Sequence, residues 1–519
     1  MKIHTVIYIA SAAFAVLAIS SCTHLDEGGS ASGNGSSTDN PPVEEPGKKA
    51  PVFSEFSLSS SSGGIKSLST DIGDGHVSVQ YAYGGDISSL KATFSTDAAE
   101  VSVGGKRQVS GITVNDFSQP VRYVLVSEEG VSAEYTVSVR FASDVPVVYV
   151  TTPGKATIDS KENWLAGASI NICNLDGQVD SLGATSIRGR GNSTWGYPKK
   201  PYNLKLETKQ KVLGMSKHKR WCLLANWMDR TMLRNVVAFE ISRRTKSLEW
   251  TPDGRFVDLV LNGKHQGAYY LCEHVKIDNN RVNITEMTSS DIDGENVTGG
   301  YLLELDSYYD EVNKFRSRYR YLPVMFKDPD EDVLVKQQFE YMQNYFNQAE
   351  AYIFSGYVPD SRYMDYIDTD SFIDWWFVYE LSGNTEPKHP KSSFMNKDRG
   401  GKLKAGPVWD FDWGTFVPSS ASFLDSNTIW YEGLFRDPAF VRRVKEKWAE
   451  SRDDFKGIPD FIDSQAAMYE ESARKNGDMW KINIVVNCDE SMEWRQAVER
   501  MKTSYCSRFE YLDKAIPAL

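Results

Sequence analysis

The sequence predicts an α+β protein in which a small all-β sandwich, residues 51–145, precedes a two-lobed mixed domain over residues 146–519. Three observations carry this expectation. Between Pro51 and Phe141 the chain is a series of short runs (HVSVQYAY, LKATFS, AEVSV, VRYVLVS, AEYTVSVR) broken by Gly, Ser and Asp, and their period-two alternation marks half-buried antiparallel strands. After Pro146 the texture becomes mixed, strand-rich at first and helical from about Asp332. A length of 519 residues with 41% hydrophobic and 12% aromatic side chains supports more than one core.

In chain order, residues 1–22 read as an export signal. Lys2 supplies the positive start, and Val6 to Ile19 is apolar or small but too short to span a bilayer. Ile19-Ser20-Ser21-Cys22 resembles the lipobox of bacterial lipoproteins, which implies acylation of Cys22, a membrane anchor and a lipid-anchored place in the bacterial cell envelope. Residues 23–50, rich in Gly, Ser, Asn, Pro and Glu, read as a flexible tether. The sandwich resembles the immunoglobulin-like modules that sit next to the anchor in surface lipoproteins, and without a catalytic constellation it reads as a spacer or adhesion module. Cys173, Cys222, Cys272, Cys488 and Cys506 are far apart with no CxxC, which suggests neither zinc nor a dense disulfide frame. A net charge of −12, from 58 basic and 70 acidic side chains, argues against a general nucleic-acid binder.

In the mixed domain, 147–152, 167–173 and 201–207 read as strands, the last with Leu204 and Leu206 on one face and Asn203 and Lys205 on the other. A helix is expected from Asp229 or Thr231, with Leu233, Val237 and Glu240 on one stripe and Glu240 toward the packed side. Strands 256–261 and 267–276 flank Asn262-Gly263, a strong hairpin signal, and GGYLLELD is another strand. VLVKQQFEYMQNYFNQAEAYIF and DSFIDWWFVYELSGN read as helices. Two short strands around Arg399-Gly400-Gly401 then lead to Asp410 and Asp412, and helices fill Pro438 to Leu512.

Residues 187–206, IRGRGNSTWGYPKKPYNLKL, hold five basic side chains (Arg188, Arg190, Lys199, Lys200, Lys205) and no acid. In an acidic chain such a stretch is where a polyanion such as a nucleotide triphosphate is expected, with Gly189, Gly191 and Gly196 letting backbone approach phosphate. Tyr197 follows where a Walker A loop needs Lys-Ser/Thr, and GxGxxG is absent. Asp410-Phe411-Asp412 puts two carboxylates on one side of an extended segment, which suits Mg²⁺ bound by one or two acids plus substrate phosphates. Glu386, stiffened by neighbouring prolines, is placed to take or orient a hydroxyl proton, and Lys388 to neutralise a transferring phosphoryl group. The basic segment, Glu240, Glu386 and Asp410 thus follow one another in the order a bilobal phosphotransferase needs.

The run RGRGNSTWGYPKKPYNLKL, then WCLLANWMDRTMLRNVVAFEIS, VDLVLNGKHQGAYYLCEHVKI, GGYLLELD and GKLKAGPVWDFDWG, resembles the spore coat protein H (CotH) kinase family of atypical secreted protein kinases, from about Val147 to the C terminus. The resemblance implies a bilobal, atypical protein-kinase-like domain using ATP and Mg²⁺ or Mn²⁺ to phosphorylate surface or secreted proteins. Under it, Asp410 is the metal-binding acid with Asp412 its helper, and Glu386 stands where the family usually has its catalytic aspartate. Lys205 is preferred over Lys199 and Lys200 as the nucleotide lysine, Arg188 and Arg190 are the alternatives that contact phosphate directly, and Glu273 to Val275 resembles the hinge that pairs with adenine. Two other readings stand beside it: a catalytically silent kinase-fold surface lipoprotein that binds a protein or glycan, and a glycosidase pairing Glu386 with Asp410 or Asp412.

Overall fold

The computed structural model describes residues 49–63 and 66–519; the export signal, Cys22 and most of the tether lie outside them. The expected sandwich is present. A three-stranded sheet (Phe53–Ser60, Leu90–Thr96, Val114–Asn115) faces a six-stranded one that includes His76–Tyr81, Val121–Val126 and Ser132–Phe141. Alternation builds its core: Val121, Tyr123 and Leu125 are buried while Arg122 between them is exposed.

The change of architecture near residue 146 is crossed by continuous packing. Val147, Tyr149, Cys173 and Val260 belong to the sandwich core. The Tyr149 hydroxyl and the Val139 backbone exchange hydrogen bonds, the Gly84 N–H donates to His265 Nδ1 at 2.9 Å, and the His265 ring stacks on Phe141 at 3.8 Å.

The strands that follow close into a seven-stranded barrel: β1 Val147–Thr151, β2 Leu165–Cys173, β3 Val179–Gly189, β4 Tyr202–Gln210, β5 His218–Leu224, β6 Gly254–Leu261 and β7 Lys264–Glu273, in the order β1-β2-β3-β4-β5-β7-β6. All neighbours are antiparallel except β6 and β1, which close the ring in parallel. Val148, Ile170, Ile187, Leu204, Leu206, Trp221, Val257 and Leu271 fill the interior. The β6–β7 hairpin turns at Asn262 and Gly263, both with positive φ, as the sequence predicts. Strands β3 and β5 were not anticipated. In β5, Trp221 to Leu224 is buried on both faces and so does not alternate, and β3 is broken by Gly183 at φ 75°, where the register with β2 shifts.

The remainder packs around a second, larger core. A five-stranded sheet, β8 Tyr301–Leu305, β9 Lys314–Arg316, β10 Pro323–Asp328, β11 Ser393–Lys397 and β12 Leu403–Ala405, runs in the order β9-β10-β8-β11-β12. It is joined by α1 Arg234–Arg243, α2 Lys336–Ile353, α3 Thr369–Ser382, α4 Pro438–Phe455, α5 Ile458–Met479 and α6 Trp494–Ala515. Helix α1 begins later than expected because Asp229 and Thr231 act upstream of it: Thr231 Oγ1 accepts the Leu233 N–H at 3.1 Å and Asp229 Oδ2 the Arg234 N–H at 3.0 Å. Helix α3 is capped by Asp368, whose side chain accepts the Ser371 N–H at 2.9 Å, and it ends on Gly383 at φ 67°. Buried from Ser371 to Ser382, it fixes where Asn384 and Glu386 emerge.

Candidate active site

A cleft of about 500 Å³ collects the polar residues of the mixed domain. The end of β3 and the glycine-bearing segment line one side; the ends of β8 and β10, the 386–392 turn and Trp409 to Trp413 line the other. Strand β8 delivers Glu304 and Asp306, two residues apart and on one face. After the buried Val408-Trp409, Asp410 turns through φ 67°, a conformation costly outside glycine, and the Phe411 N–H that follows is held by Asn235 Oδ1 at 2.8 Å.

Four carboxylates meet here. Burial, then the charges of Asp410, Asp412 and Asp306, push Glu386 from its usual 4.5 up to about 9. Burial, reinforced by Asp410 and Asp229, holds Asp412 well above the ordinary carboxylate range. Asp410 is raised too, by burial, with Arg190 opposing. Acids buried side by side resist ionising together, and a bound divalent cation relieves that. Among the described residues no group of three or more His, Cys, Asp or Glu side chains is arranged to hold a metal ion.

On the opposite side, the Arg190 guanidinium lies 5.6 Å from the Trp409 ring centroid, and its charge reaches Asp410 and Asp412. Arg188 stacks on Trp164 at 4.5 Å and donates to the Glu162 carbonyl at 3.0 Å. Arg188 Nε, Trp227 Nε1 and Asn235 Nδ2 are buried donors with no partner, and all three residues line the cleft. A buried donor left unpaired is costly, so the set fits an oxygen-rich ligand such as a nucleotide phosphate.

The structure therefore brings together Arg188, Arg190, Glu386, Asp410 and Asp412, with Lys199 buried in the cleft wall, and leaves the other expected residues elsewhere. Lys205 does alternate away from Leu204 and Leu206, but at that register the outside of the barrel is exposed surface, and only Asn203 reaches the cleft. Lys200 donates to the Trp195 carbonyl at 2.7 Å, outside the cleft lining. Lys199 is buried, donating to the Ala225 and Ala268 carbonyls and to Asn476 Oδ1, and burial drives its pKa well below the ordinary lysine value. Glu240 sits at the margin of α1, captured by Arg244 at 2.9 Å and Arg243 at 3.7 Å rather than by a cleft lysine. Glu273 is buried behind the cleft, accepting the Asp253 N–H at 3.1 Å, and only His274 and Val275 of the expected hinge line it.

Lys388 is exposed and turned away; Lys391, three residues on, lines the cleft, 3.5 Å from Asp306 Oδ1. Nor is the bare face of Gly189 open to phosphate: a Cβ there would meet the Trp195 ring at 2.5 Å. Residues missed from sequence are Asp306, Lys391, Asn235 and the Lys327–Glu304 pair at 3.3 Å. Of these, Glu304 and Asp306 carried a signal, as the two acids of GGYLLELD.

Residues 187–512, well over half the chain, match the family described as CotH kinase protein. The chain belongs to the CotH kinase protein family. The matched span opens beside Arg188 and includes Arg190, Glu386, Asp410 and Asp412, so family membership and cleft geometry fall on the same residues. Residues 55–139 match a second family, SGBP, N-terminal, which covers the sandwich. No curated protein matches the chain in sequence. A solved structure from Bacteroides thetaiotaomicron VPI-5482, described as a "putative glycoside hydrolase", aligns over 35% of this chain at 20% identity and a TM-score of 0.17. The chain spans 54% of that protein's length, and a likeness at that score carries no argument.

Proposed function

We propose that this CotH-family chain is an exported protein kinase, lipid-anchored through Cys22, whose bilobal kinase-like domain moves the γ-phosphate of ATP to hydroxyl side chains of surface or secreted proteins. The observation that carries the reading is the meeting, in one cleft, of Asp410, Asp412 and Glu386 with Arg190, Arg188 and three unpaired buried donors.

Asp410 and Asp412 would hold Mg²⁺ or Mn²⁺, with ATP phosphates against Arg188, Arg190 and the Asn235 and Trp227 donors. When bound, the metal supplies positive charge that offsets the charge of the transferring group. The protein's own part is orientation and proton handling. Glu386 holds its proton to about 9 beside its acidic neighbours, and added positive charge brings it toward the working range in which a carboxylate accepts a hydroxyl proton. Asn384 anchors that residue: its Oδ1 accepts the Glu386 N–H at 2.9 Å while its Nδ2 donates to Thr415 Oγ1 at 2.9 Å. Lys391, 3.5 Å from Asp306 Oδ1, takes the electrostatic role expected of Lys388.

A second reading, a silent kinase-fold module that binds a glycan or protein, is favoured by the exposed aromatics at the cleft, Tyr308 at 48% and Trp413 at 42%. Calorimetric titration of the protein with ATP separates the two. The kinase reading expects heat that requires Mg²⁺ or Mn²⁺ and is lost in Asp410→Asn; absence of nucleotide binding under every metal condition supports the second.

A further inference from the structure

We propose that Asn487 and Asp489, in the connection between α5 and α6, act with Arg234 as a clamp that positions the acidic loop of the cleft. The inference rests on the reading of Asp410 and Asp412 as metal-binding acids. That loop has unusual need of support. Residues 406–427 contain no helix or strand, and within them Asp410, Gly414 and Phe416 all take positive φ. Its carbonyls have no sheet partner to accept from, so something else must fix them.

Asn487, 1% exposed, does so from 75 residues away in sequence: its Nδ2 donates to the Asp412 carbonyl at 2.9 Å and to the Met228 carbonyl at 3.2 Å. Met228 and Asp412 both line the cleft, so a single side chain ties two of its walls together. The second tie is Arg234 at the start of α1, with no exposed surface. Its Nε donates to the Thr415 carbonyl at 2.9 Å, Nη2 reaches Asp489 Oδ2 at 2.5 Å, and Nη1 meets Asp229. The planar guanidinium, forked between two buried acids, cannot swing without breaking several bonds together. Trp494 Nε1 on the Thr231 carbonyl at 3.1 Å and Arg230 Nε on the Met492 carbonyl at 2.8 Å fasten the same connection to the chain before α1. Groups that hold the backbone of metal-binding residues act through those residues, and losing them typically weakens metal affinity or activity by about 10- to 100-fold.

The test compares the full chain with Asn487→Ala and, as a milder change that keeps size and shape, Asp489→Asn. Two quantities are read: hydrogen exchange of the amides from Trp409 to Phe416, and Mn²⁺ affinity. The clamp predicts faster exchange confined to that segment, with the amides of α3 unchanged, and Mn²⁺ binding weakened about 10-fold or more in Asn487→Ala. Exchange at wild-type rates in both variants overturns it. So does a loosened loop that still binds Mn²⁺ within about twofold of wild type, since the ties would then not serve the site. Should Asn487→Ala fail to fold, Asp489→Asn carries the same two criteria. If the wild type binds no Mn²⁺ and Asp410→Asn changes nothing, the metal reading fails by itself, and the exchange measurement still decides whether the clamp holds the loop.

Discussion

Replacing Glu386 by glutamine should stabilise the folded protein at alkaline pH while disabling it. The folded carboxyl holds its proton to about 9, raised first by burial and then by Asp410, Asp412 and Asp306, whereas the ordinary value is 4.5. Between those values the folded state binds a proton the unfolded state has released, so stability falls as pH rises through the window. At about pH 8 the difference spans ~3.5 units, which at ~1.4 kcal/mol per unit sets a ceiling near 5 kcal/mol, and relaxation of the cleft brings the expectation to about 2–5 kcal/mol. Glu386→Gln has no such titration. Urea unfolding of both proteins without divalent cations should show near-equal stability at about pH 5 and a gap opening in favour of the variant toward about pH 9. Added Mn²⁺ should narrow the gap. A variant no more stable than wild type at about pH 8, or a gap that does not change with pH, would refute the claim that these carboxylates share one low-dielectric recess.

Asp410→Asn, chosen because asparagine tolerates the left-handed backbone at this position, should lose metal-dependent nucleotide binding without a lower melting temperature, as calorimetry and a thermal melt together would show. Cys22→Ala should leave the membrane fraction, since each acyl methylene withdrawn from lipid removes ~0.8 kcal/mol; retention on membranes after a salt wash would contradict the anchor. His218, which accepts the Arg220 N–H on Nδ1 at 2.9 Å and is pushed down to about 4 by burial and by Arg281, stays neutral when folded but titrates at 6.5 when unfolded. Its contribution is therefore complete above about pH 6.5 and is lost as pH falls toward 4, so His218→Gln should blunt the acid-side fall in stability by about 1–3 kcal/mol in urea titrations.

Most of the local structure was legible because alternation and turn chemistry are local. The sandwich strands, the Asn262-Gly263 hairpin, the strands flanking Arg399 and helix α3 all lie where the patterns put them. The barrel was not legible: Trp221 to Leu224 is buried on both faces, and closure depends on β1 pairing with β6, more than a hundred residues away. The acids of the cleft, each following a strand or helix with a clear pattern, could be nominated singly. Their basic partners could not. Choosing among Arg188, Arg190, Lys199, Lys200 and Lys205 requires knowing which outside face of the barrel meets the cleft, and the answer left Lys205 in solvent and Lys199 inside the protein. Glu240 shows the same limit, since α1 is buried around most of its circumference and an i, i+7 stripe does not say which neighbour the stripe meets. The ties from Asn487 and Asp489 span 75 to 259 residues and leave no trace in any window.

The most direct test of the central claim is phosphate transfer from γ-labelled ATP by the purified protein, to itself and to envelope proteins, in Mg²⁺ or Mn²⁺, with Glu386→Gln and Glu386→Asp alongside. The account predicts transfer by wild type, a fall of about 100-fold or more in Glu386→Gln with nucleotide and metal affinity retained, and measurable transfer in Glu386→Asp. Wild type and both variants that bind ATP and metal yet transfer nothing would contradict it and identify the cleft as a binding site alone.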